Sequence, residues 1–326
     1  MMQRRRAVLA MGGAALLGPF AATRAFAQAG PARPRVAVLT VSAEAGFATS
    51  LQALGDGLRE RGLAAGGNVA IDVRYAGGRA HELPRLAAEL AALKPAVFIA
   101  TGALATDAAL AATPDVPVVA LGDLVAAGHA AQLGRPGGRV TGVSFLPGPL
   151  NAKRLELLAG LLPKGSKVLN LGDPNSVVGM QSVEAAGRLL GLELHAAYAS
   201  TPAQIDAAFA NARQQRLAGV NVLNSPFLSA QHARIIALAA AARLPAIYQW
   251  PESAAEGGLM GYGPSLTAMF RQLAGHASRI LGGAKAADLP IEQPTRFELV
   301  INLKTAKALG ITVPSSLLLR ADEVIQ

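Results

Sequence analysis

Residues 36–75 read VAVLTVSAEAGFATSLQALGDGLRERGLAAGGNVAIDVRY, and the pattern they contain recurs along most of the chain. Val36 to Val41 form a continuous apolar run, which is typical of a strand buried on both faces. Val69 to Tyr75 form a second run of strand character. Between the two runs, apolar residues recur at helical spacing, at Phe47, Leu51, Leu54 and Leu58. A strand, a helix and a strand in this order predict a βαβ unit and therefore a parallel sheet.

The same alternation continues and indicates two sheets in tandem. Thr201-Pro-Ala-Gln204 has the N-cap, the N1 proline and the capping-box glutamine of a helix start. Gly261-Tyr-Gly263 is interpreted as a turn. We therefore predict two doubly wound α/β lobes of four or more strands each, and the absence of a low-complexity linker predicts several chain crossings between them. Further strands are expected at 96–100, 116–121, 167–171, 192–196, 219–223, 245–248 and 297–301.

The N-terminal residues have the three-part layout of a secretory signal peptide. Arg4 to Arg6 are followed by an apolar run from Ala7 to Ala22 and by the A-x-A site Ala25-Phe26-Ala27. A transmembrane anchor is the alternative, but the run is shorter than the roughly 20 residues that a span needs and is broken by glycines and a proline. We expect export, with cleavage after Ala27, and the Arg5-Arg6 pair resembles the twin-arginine type of signal.

Charge and cysteine content narrow the class of protein. The formal net charge of +9 falls to +5 when residues 1–27 are removed, because they contain four arginines and no acid. The remaining positive charges are dispersed singly, so we expect no nucleic-acid partner. The chain contains no cysteine, which excludes disulfides, thiol nucleophiles, cysteine-ligated zinc and a lipid-modified N-terminal cysteine. The sequence therefore predicts a soluble periplasmic protein without a lipid anchor.

Motifs for catalysis or for cofactors do not occur in the sequence. There is no phosphate-binding G-x-x-x-x-G-K-[ST] and no dinucleotide-binding G-x-G-x-x-G after a strand. Gly142 to Leu146 lack one glycine of a nucleophile elbow. The five histidines are scattered, without an H-x-x-x-H pair, and we expect them at the surface or at helix ends. The sequence predicts a protein that is not an enzyme, with no catalytic residue, metal or cofactor.

A ligand site is expected where the strands end, because open α/β sheets bind ligands beyond the carboxyl ends of their strands. Asp123 is a candidate partner for an ammonium group, and Tyr248 and Trp250 for an apolar wall. The competing interpretation is that the hydroxyl and amide side chains cap helices, that Asp173-Pro-Asn175 forms a turn, and that Trp250 fills a lobe surface. The candidate ligand-binding residues are Ser42, Thr101, Gly102, Asp123, Ser144, Asn175, Ser225, Phe227, Tyr248, Trp250 and Tyr262.

An ordered set of motifs resembles one known family. The longest is EQPTRFELVINLKTAKALG at residues 292–310, followed by RADEVI at 320–325. Arg135 to Gly142, Lys153 to Leu158 and Leu244 to Tyr248 match as well, as do residues 257–264. Together they resemble the ABC-transporter substrate-binding proteins with the type I periplasmic-binding-protein-like fold, whose best understood members bind aromatic amino acids. The resemblance covers residues 35–326.

The resemblance implies a two-lobed clamshell with a ligand cleft and three chain crossings. The first lobe would contain residues 35–143 and 258–290, and the second 144–257 and 291–326. The implied function is to capture a small ligand, an amino acid or small carboxylate, by lobe closure and to deliver it to the transmembrane subunits of an ABC permease, as a monomer. A sensory receptor for a membrane kinase and a periplasmic enzyme on the same scaffold are the alternatives. The sequence departs from the family around Asn224 and Gly261 and at residues 41–46, so the identity of the ligand does not carry over.

Overall fold

The computed structural model describes residues 33–145, 147–174 and 176–326, so the predicted signal peptide lies outside the described residues. The strands are β1 Arg35–Thr40, β2 Ala70–Tyr75, β3 Val97–Thr101, β4 Val118–Gly122, β5 Val140–Ser144, β6 Lys167–Gly172, β7 Glu193–Tyr198, β8 Gly219–Val222, β9 Ala246–Tyr248, β10 Met260–Gly263, β11 Glu298–Asn302 and β12 Glu323–Ile325. The helices are α1 Glu44–Arg59, α2 Leu83–Ala92, α3 Ala103–Ala112, α4 Pro147–Ala159, α5 Val177–Leu190, α6 Pro202–Gln214, α7 Pro226–Ala230, α8 His232–Ala241, α9 Glu252–Ala255, α10 Leu266–Leu281, α11 Leu303–Leu309 and α12 Ser315–Leu318, with 3-10 turns at Ala80–Glu82 and Ala286–Asp288.

The first lobe is built on a five-stranded parallel sheet in the order β2-β1-β3-β4-β5. Successive residues of a strand point to opposite faces, and both faces of this sheet are covered. Val36 and Val38 of β1 pack under α1 and α10, whereas Ala37 and Leu39 pack under α2 and α3. Burial on both faces is the reason why β1 is a continuous apolar run.

The second lobe repeats this arrangement in a seven-stranded sheet. Its order is β7-β6-β8-β9-β10-β11-β12, and the first five strands are parallel. β11 pairs antiparallel with β10 and parallel with β12. Helices α4 and α5 contribute to the core on one face, and α6 and α8 to the core on the other. The prediction of two doubly wound α/β lobes is confirmed, with two added strands of opposite direction at one edge.

The chain changes lobe later than predicted at two places. Met260–Gly263 is a strand of the second sheet, so the turn predicted at 261–263 and the lobe boundary predicted at residue 258 are wrong. Only after this strand does α10 return to pack against α1 and the first sheet. Ile291 is still part of the first lobe's core, and Glu292 bridges to Val143 of β5, so the boundary predicted at 291 falls after Glu292 instead.

Two local features connect the sequence motifs with the backbone. Gly142 of β5 has a φ of +140°, and a Cβ at this position would lie 2.0 Å from the carbonyl oxygen of Ala120 in β4, so no side chain fits there. The predicted start of α6 is confirmed as a capping box, in which the Gln204 backbone N–H donates to Thr201 Oγ1 at 3.3 Å. Within residues 33–326, apart from Leu146 and Asn175, no helix is both long enough and apolar enough to cross a membrane.

His276 is placed differently from the prediction, and the His129 side chain, in the loop after β4, is also largely buried. His276 lies in the middle of α10 and its side chain is fully buried, rather than at the surface or at a helix end. It lies within 3.4 Å of Thr141 Oγ1, while the Arg279 guanidinium donates to its Nδ1 at 3.1 Å. Burial lowers the pKa of His276 to about 4, so the ring is neutral at pH 7.

Candidate functional site

A cavity of about 350 Å³ lies between the two lobes, at the carboxyl ends of their strands. Counted within each lobe, the five parallel strands lie in the order second, first, third, fourth, fifth. The chain therefore reverses its direction across the sheet between the lobe's first and third strands, and open α/β sheets bind ligands at this point. We call it the inner cavity. Its lining includes Ser42, Phe47, Thr101, Gly102, Asp123, Phe145 and Phe270 from the first lobe, and Asn224, Pro226, Ser229, His232, Trp250, Glu252 and Glu256 from the second.

Five of the predicted site residues line the inner cavity, namely Ser42, Thr101, Gly102, Asp123 and Trp250. Thr101 Oγ1 donates to Thr40 Oγ1 at 2.8 Å, which orients the end of β3. Gly102 has a φ of +89° at the start of α3. Asp123 is partly buried, and its Oδ1 accepts the backbone N–H of Ala126 at 3.2 Å.

Other predicted residues lie outside the inner cavity. Ser144 is buried, and its Oγ accepts the Leu124 backbone N–H at 3.3 Å. Ser225 caps α7 and donates to Asp173 Oδ2 at 2.5 Å, as the capping interpretation anticipated. Tyr248 is buried in the second lobe's core, where burial raises its pKa, and Tyr262 packs against the core on the opposite face of that sheet. Phe227 lies further out in the cleft, and Asn175 is outside the described residues.

The aromatic wall of the inner cavity is larger than the sequence predicted. Phe47 and Phe270 meet edge to face at 5.3 Å between ring centroids, and both also belong to the first lobe's core. Phe145 meets Trp250 edge to face at 5.6 Å. The indole N–H of Trp250 donates to Ser229 Oγ at 3.2 Å, which fixes the ring. Phe47 and Phe270 were not predicted as site residues, because their helical spacing is typical of core residues. Each packs in the first lobe's core and also lines the inner cavity.

In the part of the chain that the structure describes, three acidic residues and one histidine line the inner cavity, and no lysine or arginine does. His232 Nε2 lies 2.6 Å from Glu256 Oε2, and its Nδ1 donates to the Ser229 carbonyl at 2.9 Å. The hydrogen bond with Glu256 raises the pKa of His232. Glu252 Oε1 accepts from Ser265 Oγ at 3.2 Å and from the Thr267 N–H at 3.4 Å. Burial raises the pKa of the Glu252 carboxyl. His232, Glu252 and Glu256 were not among the site residues predicted from the sequence.

The lobes touch each other around this cavity. A Cβ on Gly102 would lie 3.1 Å from Pro226 Cγ, and a Cβ on Gly46 would lie 3.2 Å from His232 Cε1. Trp250, which follows β9 of the second sheet, packs against the core of the first lobe. Since residues of one lobe fill the space left by glycines of the other, the structure has the lobes closed.

An outer cleft of about 960 Å³ continues from the inner cavity, with which it shares Thr101, Gly102 and Pro226 among its lining residues. Its lining contains the basic side chains Arg79 and His81. The acidic Asp173 lines it as well, so the cleft has an acidic, aromatic interior and an outer region of mixed charge.

A buried arginine, Arg154, links two segments of the second lobe next to the inner cavity. Arg154 of α4 donates to the Tyr262 carbonyl at 2.9 Å and to Asn151 Oδ1 at 2.5 Å, and burial lowers its pKa. Asn151 Oδ1 also accepts the Asn224 backbone N–H at 3.4 Å. The guanidinium thus connects the end of β10 with the loop at Asn224, which lines the inner cavity.

Two doubly wound lobes that enclose one cavity at their strand ends define the class of periplasmic-binding-protein-like ligand receptors. Residues 35–325 match the family described as ABC transporter substrate binding protein, and the chain belongs to this family. It is 26% identical over 264 residues to the tyrosine-binding protein of Clostridioides difficile (strain R20291), covering 78% of this chain and 74% of that protein.

The fold is shared with solved structures, two of which have TM-scores of 0.80 or more. A conserved domain protein from Vibrio cholerae superposes with a TM-score of 0.81 at 25% identity, covering 90% of this chain and 99% of that one. An ABC domain from Streptococcus pneumonia in complex with L-Trp superposes with a TM-score of 0.80 at 23% identity, covering 90% of this chain and 100% of that one.

Proposed function

We propose that this protein is an extracytoplasmic receptor that captures an amino acid with an aromatic side chain by closing its lobes, and delivers it to an ABC importer. The observation that carries the proposal is the inner cavity, which has an aromatic wall and hydrogen-bonding groups from both lobes. Its volume of about 350 Å³ is in the range of small-molecule sites. The related proteins named for tyrosine and solved with L-Trp support the same ligand class.

Closure requires no covalent chemistry. A ligand that touches the first lobe at Thr101 and Phe47 gains contacts with Trp250 and Asn224 only when the lobes meet, so binding favours the closed state. In our proposal the closed form then docks on the permease as a monomer. Export with cleavage after Ala27, without a lipid anchor, completes the proposal and agrees with the signal-like N-terminus.

Thermal unfolding of residues 28–326 tests the ligand class. A ligand that binds only the native state adds about 2.7 kcal/mol at a concentration of 100 times Kd, so tyrosine, tryptophan and phenylalanine should raise the Tm while glycine and acetate should not. If none of the three aromatic amino acids raises the Tm, the proposed ligand class is wrong. Recovery of the unaltered ligand by mass spectrometry separates a receptor from an enzyme.

Delivery to an importer needs a separate measurement. We expect ligand-loaded protein to increase ATP hydrolysis by the partner permease and ATPase in reconstituted vesicles, whereas protein without ligand should do so less. Activation of a membrane kinase instead would favour the sensory alternative.

A further inference from the structure

We propose that Glu252 binds the ammonium group of the ligand, and that the inner cavity selects its ligand by the amine and tolerates the loss of the carboxylate. This inference rests on the proposed function, because it concerns the same cavity. It assigns the chemical class of the ligand as an aromatic primary amine, of which aromatic amino acids are one kind.

The charge distribution in the inner cavity supports a cationic ligand group. Among the described residues that line it, the charged or titratable ones are Asp123, Glu252, Glu256 and His232, and none is a lysine or an arginine. A cation entering this cavity is attracted by the acids, whereas a free carboxylate placed deep in it is repelled. The basic groups closest along the cleft, Arg79 and His81, lie in the outer cleft.

Among the three acids, Glu252 is the one with a buried carboxylate oxygen, Oε2, that has no hydrogen-bond partner within the described residues. Glu256 is already matched by His232 at 2.6 Å. One oxygen of Asp123 caps the turn that follows β4. In contrast, Glu252 Oε2 is buried and has no hydrogen-bond partner in the part of the chain that the structure describes. An unpaired buried carboxylate oxygen is costly, and an ammonium group offers the donors and the charge that would satisfy it.

The position of Glu252 suits this role. It begins α9, two residues after Trp250, and both side chains line the inner cavity. Its other oxygen, Oε1, is held by Ser265 and Thr267 at the start of α10, so the carboxylate is oriented before a ligand arrives. Aromatic rings close to such a carboxylate add attraction for a cation.

A matched set of probes separates the amine from the carboxylate. L-Tryptophan and L-tyrosine have both groups, their amides retain the ammonium but have no carboxylate, and their N-acetyl derivatives retain the carboxylate but have no ammonium. We expect calorimetry on residues 28–326 to give the amides a Kd within about threefold of the parent amino acids. The N-acetyl derivatives should bind about 10- to 150-fold more weakly, the range for loss of a charge-assisted hydrogen bond.

Three variants test whether Glu252 binds the ammonium group. Glu252→Gln should weaken the parent amino acids and the amides by a similar factor of about 10 to 150, and should leave the N-acetyl derivatives unchanged or bound more tightly. Asp123→Asn should weaken the same ligands by a smaller factor than Glu252→Gln does, and the exposed Glu184→Gln is the matched control without effect. If Glu252 served only as a structural acceptor for Ser265 and Thr267 at the start of α10, its substitution would weaken all the probes alike.

The outcomes distinguish this inference from the proposed function. If the aromatic amino acids bind and Glu252→Gln retains their affinity, or weakens every probe equally, the inference is overturned and the proposed function stands. The same holds if the N-acetyl derivatives bind as well as the amides, or if Asp123→Asn produces the larger loss. If no parent amino acid and no amide binds, the proposed ligand class is wrong and the inference falls with it.

Discussion

The ring of Trp250 in the second lobe lies edge to face against Phe145 at the end of the first lobe's β5, with the ring planes at 77° and the centroids 5.6 Å apart. Pairs of this geometry contribute about 0.5–1.5 kcal/mol beyond the area they bury. The contact joins the lobes beside the inner cavity, so opening the cleft must break it. Lobe closure is thereby linked to one aromatic pair that can be observed directly.

Trp250 is the only tryptophan of the chain, so its fluorescence should report lobe closure. We expect emission excited at 295 nm to shift to shorter wavelength when tyrosine or phenylalanine binds, because closure removes the indole from water. The midpoint of the shift should equal the Kd from calorimetry. A ligand that binds by calorimetry without changing the emission would show that this contact is already formed in the unliganded protein.

Gly46 and Gly55 offer a matched pair of substitutions within α1. A Cβ on Gly46 would lie 3.2 Å from His232 Cε1 across the cleft, whereas a Cβ on Gly55 meets nothing within 4 Å. Gly46→Ala should weaken ligand binding several-fold by impeding closure. Gly55→Ala should raise the stability by about 0.5–1 kcal/mol, as expected for alanine in a helix, and leave the affinity unchanged. Calorimetry and urea unfolding measure the two effects, and equal affinities in both variants would contradict closure at Gly46.

The sheets were predictable because their strands are buried on both faces, which leaves a continuous apolar run such as Val36 to Val41. The strand Met260–Gly263 was not predictable, because two of its four residues are glycine and such a sequence is typical of a turn. Its strand conformation comes from pairing with β9 and with β11, which are not adjacent to it in sequence. A Cβ on Gly261 would lie 2.1 Å from the Trp250 carbonyl oxygen, so the glycine reflects close packing between neighbouring strand ends.

The site was predictable where it depends on strand ends and was missed where it depends on helix faces. Thr101 and Asp123 follow parallel strands, so the topology alone directs them to the cleft. Phe270 was missed because its spacing in α10 indicates a core residue. Glu252 was missed because its burial depends on the start of α10, to which it binds through Thr267. Ser225 was predicted in the site but bonds to Asp173, a contact between two loops that chain order does not reveal.

Arg154 should support both stability and the shape of the site. Arg154→Met removes the donors to the Tyr262 carbonyl and to Asn151 Oδ1, of which Asn151 Oδ1 keeps the Asn224 N–H as a donor. A buried acceptor that is left unpaired costs about 1–3 kcal/mol, and this cost is partly offset because a buried charge is also removed. We expect a net loss of about 1–3 kcal/mol in urea unfolding and a weaker Kd, because Asn224 loses its support. The exposed Arg188→Met is the control. If the variant is as stable as the wild type, the hydrogen bonds of the Arg154 guanidinium only offset the free energy that is lost when its charge is buried.

His276 should make the protein less stable in mild acid. The unfolded chain binds a proton on this ring as the pH falls through about 6.5, whereas the native protein does so only near pH 4. Unfolding is therefore favoured progressively between these values, by up to about 1.4 kcal/mol per pH unit. Protonation of His232 has the opposite effect on stability, because its pKa is raised in the native protein. Its stabilising contribution increases as the pH falls and is complete below about pH 6.5.

The measurement compares urea unfolding at pH 7 and pH 5 for the wild type and for His276→Gln. The wild type should lose about 2 kcal/mol more than the variant over this interval, because glutamine occupies a similar position without titrating. His81→Gln, at a side chain that is 75% exposed, should keep the pH dependence of the wild type. If His276→Gln keeps it as well, the buried ring shares its proton with Glu292, 3.3 Å from Nε2, and burial does not control its titration.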